Sequence, residues 1–351
     1  MKRNIALSTL LPLLAVLLCD VVWMPLADGR EKDPNRPVIL VMQEGDGNNI
    51  RSKHLIEIDG TKGTASVSDE VAIDIPDNIG LASLLWTGTK LYSFSLKRVM
   101  VLGTSGGKWL PTTKMKKYRE WPAVTHQSEA NLLVVCGSTH TYHRNYYPDY
   151  DDCADSCEYR DANDDQADWT LLYPPVNKLN LKGDWYFFRV SIASLTTKLY
   201  IVGVGNLHKF NRSKLAVSYD FATHQWTRLP DMTTARSHPG MIVDQGNRLV
   251  VCGNSLYTGE EDSCEQFDFA TEEWSRLASP KLRLLFGRLF VIDGRWVVLG
   301  GHSGNAINNN DVLMYKGQHF EKVGELQNRA WLGLLAAAVV PYCVAMNTEC
   351  A

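Results

Sequence analysis

The sequence predicts an all-β ring: a six-bladed β-propeller closed by its own C-terminal strand. Three observations carry that expectation. The segment Tyr219-Asp220-Phe221-Ala222-Thr223-His224-Gln225-Trp226-Thr227-Arg228-Leu229 returns as Phe267-Asp268-Phe269-Ala270-Thr271-Glu272-Glu273-Trp274-Ser275-Arg276-Leu277. The spacing, in the high forties, suits the blade of a propeller better than the unit of a helical solenoid. A short β-branched run ending near a glycine occurs six times, and the C-terminal tail looks like an opening strand with no unit after it.

The six runs set the blade count. They are Val38–Val41, Lys90–Phe94, Leu132–Gly137, Leu199–Gly203, Leu249–Gly253 and Trp296–Gly301. Runs of this length and composition, bounded by Gly, Asn and Lys, read as buried strands. After each comes a polar loop, then an apolar residue before a turn, then an aromatic. Trp109, Trp169, Trp226 and Trp274 take that last place, and Phe320 fills it in the sixth unit. In the Asp-x-x-Thr link, Asp and Thr side chains can bond the local backbone, as hairpin turns require. Four short strands per unit, with turns every ten residues or so and no long amphipathic helix, make a propeller.

Closure is legible as well. Gly333–Val340 resembles the strand that opens other units, such as His238–Val243, whereas the first unit begins at its second strand, Val38–Val41. The tail is therefore expected to complete the first blade, which removes an exposed sheet edge. The resulting division is a ring over residues 37–345. Its blades fall near 37–77 with 332–341, 78–118, 119–184, 185–235, 236–282 and 283–331, with a linker at 30–36 and a tail at 346–351.

The 351 residues are 45% hydrophobic and 21% charged, with a net charge of −3, which is ordinary globular composition. Nothing in that balance draws the chain to nucleic acid or to an anionic membrane. Lys2 and Arg3 precede an apolar run from Ile5 to Cys19, and Ala27-Asp28-Gly29 supplies small residues for cleavage. Residues 1–29 thus read as a secretory signal peptide, with an uncleaved anchor in the secretory pathway as the alternative. Asp20, Pro12 and Pro25 suit a spanning helix poorly. The expected location is extracellular.

The order Gly-Gly, then Tyr-Asp-x-x-Thr-x-x-Trp, then Arg ahead of the next strand resembles the kelch repeat. The resemblance extends over residues 37–345 and is strongest in units four to six. Only Gly300-Gly301 keeps the double glycine, unit one lacks the Trp, and unit three inserts Asn163-Asp164-Asp165 in its hairpin. The resemblance implies that post-glycine and inter-blade loops share one face, near the central channel. Secreted propellers of this kind include copper-radical oxidases and sialic-acid epimerases. The oxidase needs two Tyr and two His converging on copper, but His140, Tyr142, His143 and Tyr147 sit in one loop. For the epimerase no glutamate base stands out. Binding, not catalysis, is the expected activity, with no cofactor and a protein or other extracellular ligand as partner. A sugar- or alcohol-transforming enzyme is the alternative.

Removing the leader leaves seven cysteines, in a compartment where disulfides are the rule. Val-Val-Cys136-Gly matches Val-Val-Cys252-Gly, and Ser156-Cys157-Glu158 matches Ser263-Cys264-Glu265. The same two places in two blades carry cysteine, so the expected pairs are Cys136–Cys157 and Cys252–Cys264, each stapling a loop. Cys343 and Cys350 either join locally or one of them pairs with Cys153; a thiol left over could link two copies. No Cys-x-x-Cys spacing suggests a metal.

The loop after Cys136 is the most distinctive stretch. His140, Tyr142, His143, Arg144, Tyr146 and Tyr147 supply the rigid aromatic and cationic area that recognition surfaces use. The same residues could instead pack on their own propeller. Arg119, Arg236, Arg283 and Arg329 precede innermost strands in four units. They read either as a positive ring for an acidic ligand or as clamps on blade carbonyls and a buried acid. The acid-rich stretch Asp149–Asp168 contains Asp161-x-Asn163-x-Asp165, reminiscent of a calcium loop. It lacks the glycine and the twelfth-position glutamate of such a loop and reads as solvated. Gly103–Lys108 lacks a phosphate loop's first glycine and reads as a turn, and Asn211-Arg212-Ser213 is a glycosylation sequon.

Overall fold

The computed structural model describes residues 33–44, 51–59, 62–76, 82–103, 107–137, 156–175, 179, 185–187, 190–203, 205–206, 213–236, 239–244, 248–253, 264–277, 288–299, 311–326, 336–348 and 350. The chain separates into Met1–Asp33 and Pro34–Ala351, and every strand named below belongs to the second unit. The expected leader, residues 1–29, lies outside the described residues. No helix among the described residues is long and apolar enough to cross a membrane.

Six four-stranded antiparallel sheets form the blades. From the channel outward, blade 1 is β26 (Ala336–Pro341), β1 (Pro37–Glu44), β2 (Arg51–Asp59) and β3 (Thr64–Ser68). Blade 2 is β4 (Ser83–Trp86), β5 (Leu91–Ser95), β6 (Arg98–Leu102) and β7 (Trp109–Pro111). Blade 3 is β8 (Ala123–Gln127), β9 (Leu132–Cys136), β10 (Cys157–Asp161) and β11 (Thr170–Leu172). Blade 4 is β13 (Ser191–Leu195), β14 (Lys198–Val202), β16 (Ala216–Asp220) and β17 (Gln225–Arg228). Blade 5 is β18 (Gly240–Val243), β19 (Arg248–Cys252), β20 (Cys264–Asp268) and β21 (Glu273–Leu277). Blade 6 is β22 (Arg288–Ile292), β23 (Arg295–Leu299), β24 (Asp311–Tyr315) and β25 (Phe320–Glu325). The ring closes as expected: Val38 faces Val340 and Leu40 faces Ala338 across the β1–β26 pair.

Packing explains why the second strands stood out in the sequence. Each is covered on both faces by neighbouring blades, so Leu91–Ser95 is buried at every position and Leu249–Cys252 likewise. A strand buried on both faces needs an unbroken apolar run, where a half-buried strand would alternate. The core is six clusters, each between two adjacent blades. Val134 and Leu172 of blade 3, for instance, meet Ile201 and Val217 of blade 4, and Ile39 and Val41 of blade 1 meet Val297 and Val312 of blade 6.

The repeated turn has the anticipated chemistry. Asp220 Oδ1 accepts the Ala222 N–H at 2.9 Å, and Asp268 Oδ1 accepts the Ala270 N–H at 2.7 Å. His224 and Glu272 then take a left-handed backbone, each at φ 56°, which turns the chain into the outer strand. The repeated Trp also has a specific task. Trp109 Nε1 donates to Asp74 O at 2.7 Å, Trp169 Nε1 to Thr113 O at 3.1 Å, and Trp274 Nε1 to Pro230 O at 2.9 Å. In each case the indole ties its blade to the connection arriving from the blade before.

Two details depart from expectation. Trp169 lies in the turn ahead of β11, not in the strand, because the inserted residues lengthen that hairpin and drive the indole inward to 1% exposure. A small extra sheet joins β12 (Trp185–Tyr186) to β15 (Gly205–Asn206), linking the entry to blade 4 with that blade's own inner loop.

Candidate binding face

The two ends of the ring differ. At one end the first and second strands, and the third and fourth, are joined by short connections such as 196–197, 221–224 and 293–294. At the other end the second strand passes to the third through residues 137–156, 203–215, 253–263 and 300–310 in blades 3 to 6. The innermost strands begin at that same end, since Ala123 pairs with Cys136 and Gly240 with Cys252. Connections longer than a turn, gathered on a rigid scaffold, are where binding functions concentrate.

The stems of two of these loops are built alike. Cys136 and Cys157 lie directly opposite each other on β9 and β10 and form a disulfide, as do Cys252 and Cys264 on β19 and β20. Both expected pairs are present, and Cys343 joins Cys350 locally. Cys153 lies outside the described residues.

Beside each staple sits an arginine with no exposed surface. Arg119 Nε donates to Glu158 Oε1 at 2.8 Å, while its Nη1 reaches Gly137 O at 3.2 Å and Ser156 O at 2.9 Å. Arg236 repeats the pattern, with Nε on Glu265 Oε1 at 2.8 Å and Nη1 on Gly253 O at 2.6 Å. The carboxylates also cap the incoming chain: Glu158 accepts the Lys116 N–H and Glu265 the Thr233 N–H, both at 2.7 Å. Burial lowers the Arg236 pKa from its usual value, and the adjacent Glu265 opposes that shift. The arginine backbones meanwhile bridge to the preceding blade, Arg119 to Leu96 and Arg236 to Ser213. Each arginine therefore binds the stem of its own blade's loop to that of the neighbour.

The post-strand glycine is explained by the same contact. Gly137 stands at φ 65°, and a Cβ there would lie 2.1 Å from Phe187 O. Only glycine both turns left-handed and admits that neighbour, so that its carbonyl meets Arg119.

Of the recognition residues expected from the sequence, Arg119 and Arg236 are placed as these buried clamps. His140, Tyr142, His143, Arg144, Tyr146, Tyr147, Arg283 and Arg329 lie outside the described residues, as does the sequon at Asn211. The acidic stretch is described from Ser156 onward. Asp165 is committed to the blade 2 contact, accepting from Lys90 Nζ at 2.7 Å and Tyr92 Oη at 2.8 Å. Partial burial would raise its pKa, but the bonds from Lys90 and Tyr92 outweigh that and hold it below the usual carboxylate value. Among the described residues no cluster of His, Cys, Asp and Glu has metal-site geometry.

A cavity of about 550 Å³ runs down the axis, lined by all six innermost strands. Each strand's first residue faces the loop end, and five of these are small: Ser83, Ala123, Ser191, Gly240 and Ala336. The sixth is Arg288. Ser83 Oγ donates to Pro122 O at 2.6 Å, and Ser191 Oγ donates likewise to Pro239 O, each tying its blade to the next. Arg288 Nη2 donates to Ser83 Oγ at 3.3 Å, spanning from blade 6 to blade 2. Sequence reasoning missed Glu158, Glu265 and Arg288. The glutamates follow aligned cysteines, and an arginine where the other units hold Ser, Ala or Gly was a signal open to the repeat alignment.

Six closed blades around an axial cavity define this protein as a six-bladed β-propeller. No family model matches the chain, and no curated protein matches it. Among solved structures it is similar to that of YjhT, a propeller, with a TM-score of 0.56 and 14% identity over 74% of this chain and 86% of that one. At that identity the likeness is one of fold.

Proposed function

We propose that the protein is a secreted kelch-type propeller that binds a protein or other extracellular ligand through its loop-bearing face, and that it does not catalyse a reaction. One observation carries this reading: the long connections share one end of the ring, and the stems of two are fixed by a disulfide and a buried Arg–Glu pair. Fixing a stem reduces the entropy lost when a loop orders against a partner. Three disulfides are compatible with an oxidising compartment, which agrees with a cleaved leader at residues 1–29 and a glycan at Asn211. The sequence between Cys136 and Cys157 supplies the contact chemistry through its Tyr, His and Arg side chains.

The test compares the protein secreted from cultured cells with a variant in which Tyr142, Tyr146, Tyr147 and Arg144 become Ser. A second variant altered only in the opposite-face turn at Thr223 and His224 serves as control. Binding to cell surfaces and to extracellular matrix is measured with labelled protein. The loop variant is expected to lose at least tenfold in affinity and the control to lose nothing. Equal binding by all three would overturn the reading.

A further inference from the structure

We propose that the mouth of the axial channel is a site for a small organic acid, whose carboxylate is held by Arg288 while its body lies against Trp121 and Phe290. The inference goes beyond the loop-face reading and does not depend on it.

Arg288 is the only ionisable side chain among the described residues that line the cavity. It has no carboxylate partner among the described residues, in contrast to Arg119 and Arg236, whose acids are at 2.8 Å. Its pKa is lowered by burial alone, with no opposing acid. Arg288 is half-buried at the mouth, and a guanidinium drawn partly out of water without a counter-charge carries a cost. Perturbed charged groups in clefts collect at functional sites. Ser83 orients the group without neutralising it: the serine hydroxyl gives its proton to Pro122 O and accepts from Nη2. The remaining guanidinium N–H groups have no partner among the described residues, and a planar fork of this kind matches a carboxylate in two-bond geometry.

A second, independent feature marks the same cavity. Trp121, another lining residue, has a left-handed backbone at φ 46°. That conformation is costly for a bulky side chain and collects at ligand sites. A ligand held by Arg288 at the mouth extends into a cavity lined mostly by apolar side chains, so its body is apolar or weakly polar. The volume, about 550 Å³, is in the range of small-molecule sites. Phe290, Trp86 and Met241 supply apolar wall.

The experiment uses the full chain and three acid–amide pairs: benzoate with benzamide, lactate with lactamide, and glucuronate with glucuronamide. Binding is followed by tryptophan fluorescence and by ligand-observed NMR. At least one acid is expected to bind ten times or more tightly than its amide. Arg288→Met is expected to abolish that preference, and Arg288→Lys to keep part of it. Should Arg288→Met fail to fold, the acid–amide ratio on the unaltered protein decides the matter alone. Equal binding of acid and amide in all three pairs, or no binding by any acid, would overturn the proposal. An acid preference that survives in a folded Arg288→Met protein would do so too.

Discussion

Arg236 and Glu265 are both fully buried, and the pair shows how much one charge depends on its partner in this ring. Removing either leaves the other desolvated and unpaired, which costs about 3–5 kcal/mol. Glu265→Ala is expected to lose that much stability in urea unfolding. Glu265→Gln, which can still accept the Thr233 N–H, is expected to lose less. Asp165 is a milder case with a definite pH dependence. Its folded-state pKa is depressed, so the stabilisation is complete above the unfolded value of about 4 and disappears as pH falls through the folded value. Asp165→Asn is therefore expected to be less stable by about 1 kcal/mol at pH 7. The gap should close toward acid pH, where both proteins carry a neutral side chain; urea midpoints across pH would show it.

The staples belong to the strand pairs that carry them. Cys252 and Cys264 are 12 residues apart in sequence, and a closure of that length stabilises by about 3 kcal/mol in the chain-entropy picture. Replacing both by Ala should lower the melting temperature and speed proteolysis within 254–263. The register also predicts a transfer. Val202 faces Ala216 in blade 4 as Cys252 faces Cys264 in blade 5. Val202→Cys with Ala216→Cys is expected to form a new disulfide, detectable by peptide mass mapping without reduction. Legibility in the sequence followed burial at this scale. The second strands are sandwiched between blades, so Val38–Val41 and Leu249–Cys252 announced themselves as continuous apolar runs. The outer strands bury little beyond one aromatic, as in Gln225–Arg228, and were found only through their Trp. The paired cysteines of blades 3 and 5 were legible because each cross-strand pair occupies one repeat position. Glu158 and Glu265 recur beside those cysteines, but sequence alone did not single them out as the buried acids of Arg119 and Arg236. Arg288 has no period, and only the register that places it among Ser83, Ala123 and Gly240 exposes it as the exception.

For the molecule as a whole, closure rests on one pairing between distant parts of the chain. β26 supplies the innermost strand of blade 1 and covers the edge of β1 from Pro37 to Met42. Ending the chain at residue 331 removes that strand and exposes Val38, Leu40 and Met42 along an open edge. Such an edge is a template for association with other chains. The truncated protein is expected to aggregate or dimerise, as size-exclusion chromatography with light scattering would show. The pairing also imposes an order in time on synthesis. Blades 2 to 6 can each be completed as their own strands leave the ribosome, at roughly 5–20 residues per second. Blade 1 is the first to be translated and the last to be finished. Until Ala336–Pro341 has emerged, the growing chain is an arc whose leading edge waits for its trailing one. An early stop codon in the last unit would thus spoil the oldest part of the protein along with the newest.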